Sequence, residues 1–334
     1  MTLISKLWGK STGSTATAEH AAGGHATEAR SNGPLDYCRM LTQDAVEASD
    51  DELDRAWKAV RDNMALVPDG QVLLAATDPE SFCDVAASAA FQATPVASLY
   101  LDRYCVTNAE FAQFVSAGGY VLDHLWPTEI LSNVLQFVDS TGNPGPRDWV
   151  DGTWLAGKEN HPVTGICWYE ANAYAHWIGK RLPSPAEWQW AAVWAGGANA
   201  GHRRYPWGDS FDPARCNTWN SGIGKTVAVT DYYAGCTPNG IYQLIGNVWE
   251  WTSSLLECDA STTGDRILTE APLAEIRGGA FDTYFASHAT AQFRSGQTLL
   301  FRGPNLGFRC CISAEQLAVA SPDPFAFIDE ETQS

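Results

Sequence analysis

Residues 198–248 are rich in Gly, Asn and Trp and carry no regular hydrophobic period. Loop regions of this length inside a compact domain are uncommon, and they are usually functional or held by bound ions. Across the chain of 334 residues, 14 Trp, 29 Gly and 17 Pro indicate the same irregular, aromatic-packed structure. This composition favours an irregular, loop-rich protein over a helical bundle. From about residue 65 the sequence is typical of short strands and turns with two clear helices.

Two helices carry clear start signals. The segment TNAE (107–110) is a capping box, in which the first and last side chains satisfy each other's backbone N–H groups. Ser184 and Glu187 form the same arrangement at the start of a second helix. WYEANAYAHWIGK (168–180) is typical of a further amphipathic helix, ended by Gly179.

The chain before the main domain divides into two parts. Residues 1–35 are mostly Gly, Ala, Ser and Thr, which predicts a flexible arm. Residues 36–64 hold the start of an amphipathic helix that we predict over 49–67. Its apolar residues recur at helical spacing: Leu53, Trp57, Val60 and Met64. One such helix needs a partner surface, on this domain or on another protein.

Composition excludes several classes of protein. The formal net charge is −18, from 39 acidic and 21 basic residues, so a nucleic-acid backbone would be repelled. No apolar run reaches the roughly 18 residues that span a bilayer, and the start of the chain lacks an export signal. Nine scattered cysteines without a CxxC pair favour buried thiols in a reducing, cytoplasmic compartment. The adjacent Cys310 and Cys311 are expected on opposite faces of a strand, one inward and one outward.

Five motifs follow one another in order. They are HPVTGICWYEANAYAHWIGKRLPSPAEWQWAA (161–192), YPWGD (205–209), NGIYQLIGNVWEWTSS (239–254), IRGGAF (276–281) and NLGFRC (305–310). Together they resemble the formylglycine-generating enzyme family, also called the sulfatase-modifying factor domain. The resemblance covers residues 65–314 and leaves 315–334 as an acidic tail. It implies an α+β fold of the variant C-type-lectin type, with small twisted antiparallel sheets, two main helices and much irregular loop.

The residues of these motifs suit short strands. Trp249 and Trp251 alternate with Glu250, which places both indoles on one face and the carboxylate on the other. The glycines after Arg277 are expected to turn the backbone at the start of a strand. LGFR (306–309) alternates apolar and polar residues, which predicts a half-buried strand.

The resemblance implies calcium in the loop region, where the ion would take about six to eight oxygen ligands. One expected site uses the Glu250 carboxylate, the Gly246 and Val248 carbonyls, and Gln243. A second uses Asn217, the Thr218 carbonyl and Asn220. The alternative for Glu250 is that its carboxylate only accepts hydrogen bonds from buried backbone amides.

The same resemblance places two copper(I)-binding cysteines of the family's oxidase shortly after the RGG motif. Thr283 and His288 stand at that spacing here, Ala280 replaces a Ser, and no cysteine lies between Cys258 and Cys310. Copper(I) prefers soft thiolate ligands, so we expect no copper and no formylglycine generation. A related sulfoxide synthase adds an iron-binding helical bundle, whose histidine motif is missing from this chain.

The remaining expectation is a non-catalytic protein that binds a ligand, expected to be a protein, through residues 280–303. Large aromatic side chains with polar tips anchor such interfaces at low entropic cost. The predicted contact residues are Thr283, Tyr284, Phe285, Ser287, His288, Phe293, Ser295, Leu299, Leu300 and Phe301. The open alternatives are a solvated loop, an oxidoreductase with an altered active site, and a structural subunit that docks through the helix at 49–67.

The segment between RGG and LGFR also resembles the variable proteins of diversity-generating retroelements, which use a C-type-lectin fold to display mutated residues there. Mutation at adenines can turn an Asn codon into many residue types, but not into Lys, Glu, Gln, Met or Trp. Residues 282–291, DTYFASHATA, all belong to the permitted set.

Overall fold

The computed structural model describes residues 37–42, 48–75, 91–195, 203–256 and 272–318. The predicted arm and most of the predicted acidic tail lie outside these ranges, as do Cys83 and Cys258. The helices within them are α1 (Tyr37–Thr42), α2 (Asp50–Asn63), α3 (Asn108–Ser116), α4 (Leu131–Val134), α5 (Trp168–Trp177), α6 (Pro185–Val193) and α7 (Ala314–Ala318). The strands are β1 (Met64–Val67), β2 (Gly70–Ala75), β3 (Phe91–Val96), β4 (Leu99–Asp102), β5 (Trp249–Leu256), β6 (Leu273–Arg277), β7 (Arg294–Thr298), β8 (Leu306–Gly307) and β9 (Cys311–Ser313).

The described strands form three small sheets, with the orders β1-β4-β9, β2-β3 and β7-β6-β5-β8. Their pairings are antiparallel except that of β5 with β8, which is parallel. The predicted small antiparallel sheets are therefore confirmed with one exception. None of the described helices is long and apolar enough to cross a bilayer.

Local capping signals place α3 and α6 where the sequence predicts them. The Glu110 carboxylate accepts the Thr107 backbone N–H at 2.8 Å, and the Glu187 carboxylate accepts that of Ser184 at 2.7 Å. The third predicted helix ends at Trp177, and Gly179 follows with a φ of +74°. A Cβ there would lie 3.0 Å from the backbone of Arg39, so glycine allows a close approach of the N-terminal segment.

The helix predicted over 49–67 is shorter than its hydrophobic pattern. It ends at Asn63, because Met64 begins β1 and pairs with Asp102 of β4. The apolar face of α2 packs against the chain's own first and last described elements. The buried residues of this cluster are Tyr37, Cys38, Leu41, Ala56, Trp57, Val60, Met64, Ile312 and Leu317. The partner surface of the helix is therefore on this domain, which removes the basis for docking to another subunit through that face.

Two further expectations for the C-terminal motifs are wrong. LGFR is not half-buried: only Leu306 and Gly307 form a strand, and Phe308 and Arg309 are fully buried. Cys310 and Cys311 are also both buried rather than one inward and one outward. The core covers both faces of this segment, since Phe308 packs on Phe111 while Arg309 reaches a buried carboxylate. The seven described cysteines are free thiols.

Candidate functional site: the 280–303 segment and the frame beneath it

The segment 280–293 connects β6 to β7, which pair with each other in an antiparallel register. Gly278 and Gly279, with φ of +95° and +79°, carry the chain out of β6. A Cβ at Gly278 would lie 2.6 Å from the carbonyl oxygen of Leu244, so no other residue fits there. The RGG motif therefore turns the chain at the end of a strand, not at its start as predicted.

Arg277 fastens the two ends of this connection to the core. Its buried guanidinium pairs with Glu275, donates to the Gln189 side-chain oxygen at 3.0 Å and to the Ala291 carbonyl at 3.2 Å. Burial lowers the pKa of Arg277, and the charge of Glu275 opposes that effect. The loop is consequently held at both ends while its middle faces solvent.

Six rings follow one another across this surface, and we call them the aromatic row. The consecutive pairs of rings have centroid distances between 4.4 and 6.0 Å. In order, the members are Trp219, Tyr284, Phe285, His288, Phe293 and Trp249. Tyr284 and Phe285 are 63% and 58% exposed, and Trp219 is 57% exposed. The row is thus a contiguous aromatic surface with its largest exposure at one end.

The row contains four of the predicted contact residues and two that the sequence did not reveal. Trp219 lies between the predicted metal ligands Thr218 and Asn220, and Trp249 lies on the predicted strand that carries Glu250. Both come from segments distant in sequence from the loop. A Trp in the Gly- and Asn-rich NTWNSG segment (217–222), which has no hydrophobic period, is the only sequence signal that could have found Trp219.

The other predicted contact residues lie elsewhere. Thr283 is buried, and its hydroxyl accepts the backbone N–H of Ala280 at 2.8 Å, so it closes the turn rather than facing a ligand. Leu299 is also buried and belongs to the largest hydrophobic cluster. Leu300 and Phe301 are 47% and 38% exposed, but among the described residues Phe301 has no ring contact with the row. The Ser287 side chain is exposed, and Ser295 lies half-buried in β7 opposite Ile276.

A buried charge cluster lies under the sheet that carries this loop. The Glu250 carboxylate accepts two hydrogen bonds from Arg309, at 2.7 and 2.8 Å, and one from the Trp188 indole at 2.7 Å. The Cys105 thiol donates to the same carboxylate at 3.3 Å. Burial would lower the pKa of Arg309, but the charge of Glu250 raises it above its usual value. The carboxylate therefore has four donors, about as many as its two oxygens can accept.

The first predicted calcium site does not fit this arrangement. Arg309 already supplies the positive charge next to Glu250, and the lone pairs that a cation would need are occupied. The Gln243 side-chain oxygen accepts one hydrogen bond, from Asn247 at 2.7 Å, and keeps one lone pair, but without the Glu250 carboxylate it cannot hold a cation. The alternative interpretation of Glu250, as a carboxylate that accepts buried hydrogen bonds, describes the geometry; its donors are side chains rather than backbone amides.

The second predicted calcium set stays a prediction. The Asn217 side-chain oxygen accepts from the Ser221 hydroxyl at 2.8 Å, and the Thr218 carbonyl accepts the Ser221 backbone N–H at 2.9 Å. Each oxygen retains a lone pair, whereas Asn220 is exposed. Within the described ranges, no group of three or more His, Cys, Asp or Glu side chains could hold a metal ion. Comparing unfolding in calcium with unfolding in a chelator, for wild type and Asn217→Ala, tests the set.

A family model and two relatives from other organisms match most of this chain. The family model described as "Sulfatase-modifying factor enzyme 1-like domain" matches residues 50–314. The formylglycine-generating enzyme of Streptomyces coelicolor is 33% identical over an alignment of 251 residues that covers 65% of this chain and 78% of that enzyme. The inactive C-alpha-formylglycine-generating enzyme 2 of Bos taurus is 32% identical over an alignment of 242 residues that covers 64% of this chain and 77% of that protein.

A solved structure supports the same fold. PvdO from Pseudomonas aeruginosa matches with a TM-score of 0.50 and 21% sequence identity, over 74% of this chain and 93% of that one. With the family match, this confirms the predicted variant C-type-lectin fold.

Proposed function

Because the chain belongs to the sulfatase-modifying factor enzyme 1-like family, we propose that it uses the family scaffold to bind a protein ligand through residues 280–303 and carries out no chemistry there. The observation that carries the proposal is the aromatic row, three of whose rings are more than half exposed. Exposed aromatic rings held by a rigid frame bury large area with little loss of side-chain entropy. Contiguous exposed apolar surface of this kind marks interaction sites.

The residues at the positions of the family's copper-binding cysteines support a non-catalytic role. The Thr283 hydroxyl is used to close a turn, and the His288 ring stacks on Phe293 with centroids 4.4 Å apart. Neither side chain offers the soft sulfur that copper(I) prefers. The bovine relative is itself named inactive, so a protein of this family without the activity has a precedent.

Native capture with matched variants tests the binding role. Wild type, Tyr284→Ser/Phe285→Ser and Phe91→Ser are immobilised and exposed to extract of the source cells. Phe91 is 62% exposed on β3, outside the row, so it controls for loss of any exposed ring. We expect one protein to be retained by wild type and by the control but not by the double variant, and to bind again by calorimetry when purified. Identical retention by all three proteins would contradict the proposal.

The oxidoreductase alternative needs a separate assay. The purified chain is incubated with copper(I), oxygen and a cysteine-containing sulfatase peptide, and the peptide is examined by mass spectrometry for conversion of its thiol to an aldehyde. We expect no conversion. Conversion that is lost in Thr283→Ala or His288→Ala would refute the non-catalytic role and place chemistry on this segment.

A more specific form of the proposal concerns the origin of the surface. Residues 282–291 consist only of types that adenine-directed diversification of Asn codons can produce. They include Tyr284, Phe285 and His288 of the aromatic row. We propose that this loop is the variable segment of a diversity-generating retroelement.

Sequencing the flanking DNA tests that origin directly. A near-copy of the codons for residues 276–309 that differs only at adenines, beside a reverse-transcriptase gene, is the expected result. If no copy is present, the diversified origin is wrong, and the surface is a fixed one.

A further inference from the structure

A cavity of about 250 Å³ lies beside the 280–303 segment, and its walls combine apolar rings with positive charge. Phe281 of the segment lines it together with Trp149, Trp154 and Leu155. Lys158 and Lys225 also line it. Small-molecule sites typically have this character, with mostly apolar walls and a few polar groups that orient the ligand.

The two lysines are unusual in a chain of net charge −18. Four lysines lie in the described part of the chain, and two of them are paired: Lys58 with Asp62 and Lys180 with Asp102. Neither of the other two, Lys158 and Lys225, has a carboxylate within ion-pair distance among the described residues. Both unpaired lysines of the described chain therefore meet at one cavity.

Lys158 is held in place from two sides. Its ammonium donates to the Thr226 hydroxyl at 3.2 Å, and that hydroxyl also lies 3.0 Å from Nδ1 of His161. Its backbone carbonyl accepts the Asn108 side-chain N–H at 2.8 Å, and Asn108 in turn accepts the Trp149 indole N–H. A lysine fixed in this way is a preorganised donor rather than a mobile surface charge.

The charged side chains that line the cavity, two lysines and one aspartate, leave a positive excess. Burial first, and the charge of Lys225 second, lower the pKa of Lys158, as expected for two ammonium groups that repel each other. The one carboxylate in the lining, Asp148, lies 3.4 Å from the guanidinium of Arg147 and accepts from the Thr164 hydroxyl at 3.3 Å. An anion between the lysines would relieve their repulsion.

We propose that this cavity binds a small organic anion, whose carboxylate or phosphate lies between Lys158 and Lys225 and whose flat apolar body packs against Trp154 and Phe281. The volume suits a single ring with its charged group. The strongly negative net charge of the chain favours a small anion over an acidic polypeptide, because only the local positive potential of the cavity is attractive. This site does not depend on the protein-binding role proposed above.

Isothermal calorimetry on the full chain tests the proposal with benzoate and phenyl phosphate as probes and neutral benzamide as the uncharged match. We expect at least one anion to bind, with benzamide about tenfold weaker or more. Preference for benzoate assigns a carboxylate ligand, and preference for phenyl phosphate assigns a phosphate ester. Equal binding of benzamide and both anions would overturn the proposal.

Charge-matched variants locate the site. Lys158→Gln and Lys225→Gln are each expected to weaken binding of the preferred anion about tenfold or more. Lys58→Gln removes the same charge from an exposed ion pair, and it should leave the affinity for the anion unchanged. Lys225 is exposed, so its variant reports on the site even if Lys158→Gln folds poorly. Unchanged anion binding by Lys225→Gln would overturn the proposal. It would also be overturned if a poly-glutamate peptide bound in a way that depends on these lysines while neither small anion bound.

Discussion

Glu250 and Arg309 are fully buried and joined by two hydrogen bonds, whereas Tyr284 and Phe285, which lie between them in the chain, are more than half exposed. The first pair belongs to what we call the frame, the set of buried ion pairs Glu250–Arg309, Glu275–Arg277, Glu170–Arg302 and Asp102–Lys180. The second pair belongs to the aromatic row, where the two rings contact each other and the ring on either side of them. The frame therefore determines whether the domain folds, and the row determines what it contacts.

The other buried charges of the frame are paired in the same way. Glu170 pairs with Arg302, and Lys180 pairs with Asp102 and the Tyr37 hydroxyl. Removing one member of such a pair leaves an uncompensated charge in a medium of low polarity. The loop of the aromatic row is attached to this frame through Arg277 but contributes only its ends to it. Substitutions should thus have very different costs in the two regions.

The largest effect is expected for Arg309→Met, which strands the Glu250 carboxylate beside Trp188 and Cys105. We expect the free energy of unfolding to fall by about 3–5 kcal/mol, measured by urea denaturation. Arg147→Met, which removes an exposed pair, should change it by about 1 kcal/mol or less. If Arg309→Met does not fold, Glu250→Leu/Arg309→Met should recover much of the loss. Equal costs for Arg309→Met and Arg147→Met would end the distinction between frame and surface.

An intermediate effect is expected at Asp139, a buried carboxylate that has backbone donors instead of a cation. Burial would raise its pKa, but hydrogen bonds from Gly152, Thr141 and Asn143 together lower the pKa of Asp139 to about 2. A lowered folded-state pKa contributes stability above the ordinary value of 3.8, and that stability is lost as pH falls toward 2.

Wild type should therefore exceed Asp139→Asn by about 2 kcal/mol in the free energy of unfolding at pH 7. The two proteins should converge between pH 4 and pH 2, as measured by urea denaturation across that range. A constant difference over the whole range would show that the carboxylate charge is not what stabilises this loop.

A smaller effect is expected at Thr283, which lies in the exposed loop but has a buried side chain. It therefore tests where the buried frame ends and the exposed surface begins. Thr283→Val removes the acceptor of the Ala280 N–H and should cost about 1–2 kcal/mol in unfolding free energy. Thr283→Ser keeps the hydroxyl and should cost clearly less. If Val and Ser cost the same, the hydroxyl does not close the turn, and Thr283 returns to the list of contact residues.

The smallest effect on stability is expected in the row itself. Tyr284→Ser/Phe285→Ser should change the free energy of unfolding by about 0.5 kcal/mol or less, since exposed side chains contribute little to folding. A loss above about 2 kcal/mol would mean that these rings belong to the core and stabilise the fold as the frame does.

The sequence predicted features that depend on neighbours within a few residues. The capping boxes at Thr107 and Ser184 need only a Glu three positions later, and both form as expected. The family resemblance extended this to the fold, and it also directed attention to the loop that contains Tyr284 and Phe285. Local spacing and a long set of motifs were sufficient for these inferences.

Long-range pairing explains what the sequence did not predict. Met64 continues the helical period of α2, but its pairing with Asp102 draws it into a strand. Arg309 has the alternation of an exposed strand residue, yet its partner Glu250 lies 59 positions away. Trp219 contributes to the aromatic row and Lys225 to the cavity. Both lie in the irregular region, where no hydrophobic period indicates which way a side chain points. Such contacts are decided by tertiary packing, which overrides local pattern.

The cluster that joins α1 and α2 to Ile312 and Leu317 has a consequence for biosynthesis. β9 completes the sheet begun by β1 and β4, and Arg309 reaches Glu250 from the same late segment. While the ribosome is still translating the codons for residues 306–317, the earlier elements have been made but their closing partners have not. Contacts of such large sequence separation form late, and until then apolar surface and unpaired strand edges stay exposed. We therefore expect the nascent chain to expose part of the apolar face of α2 and one edge of β4 until residues 306–317 have been added.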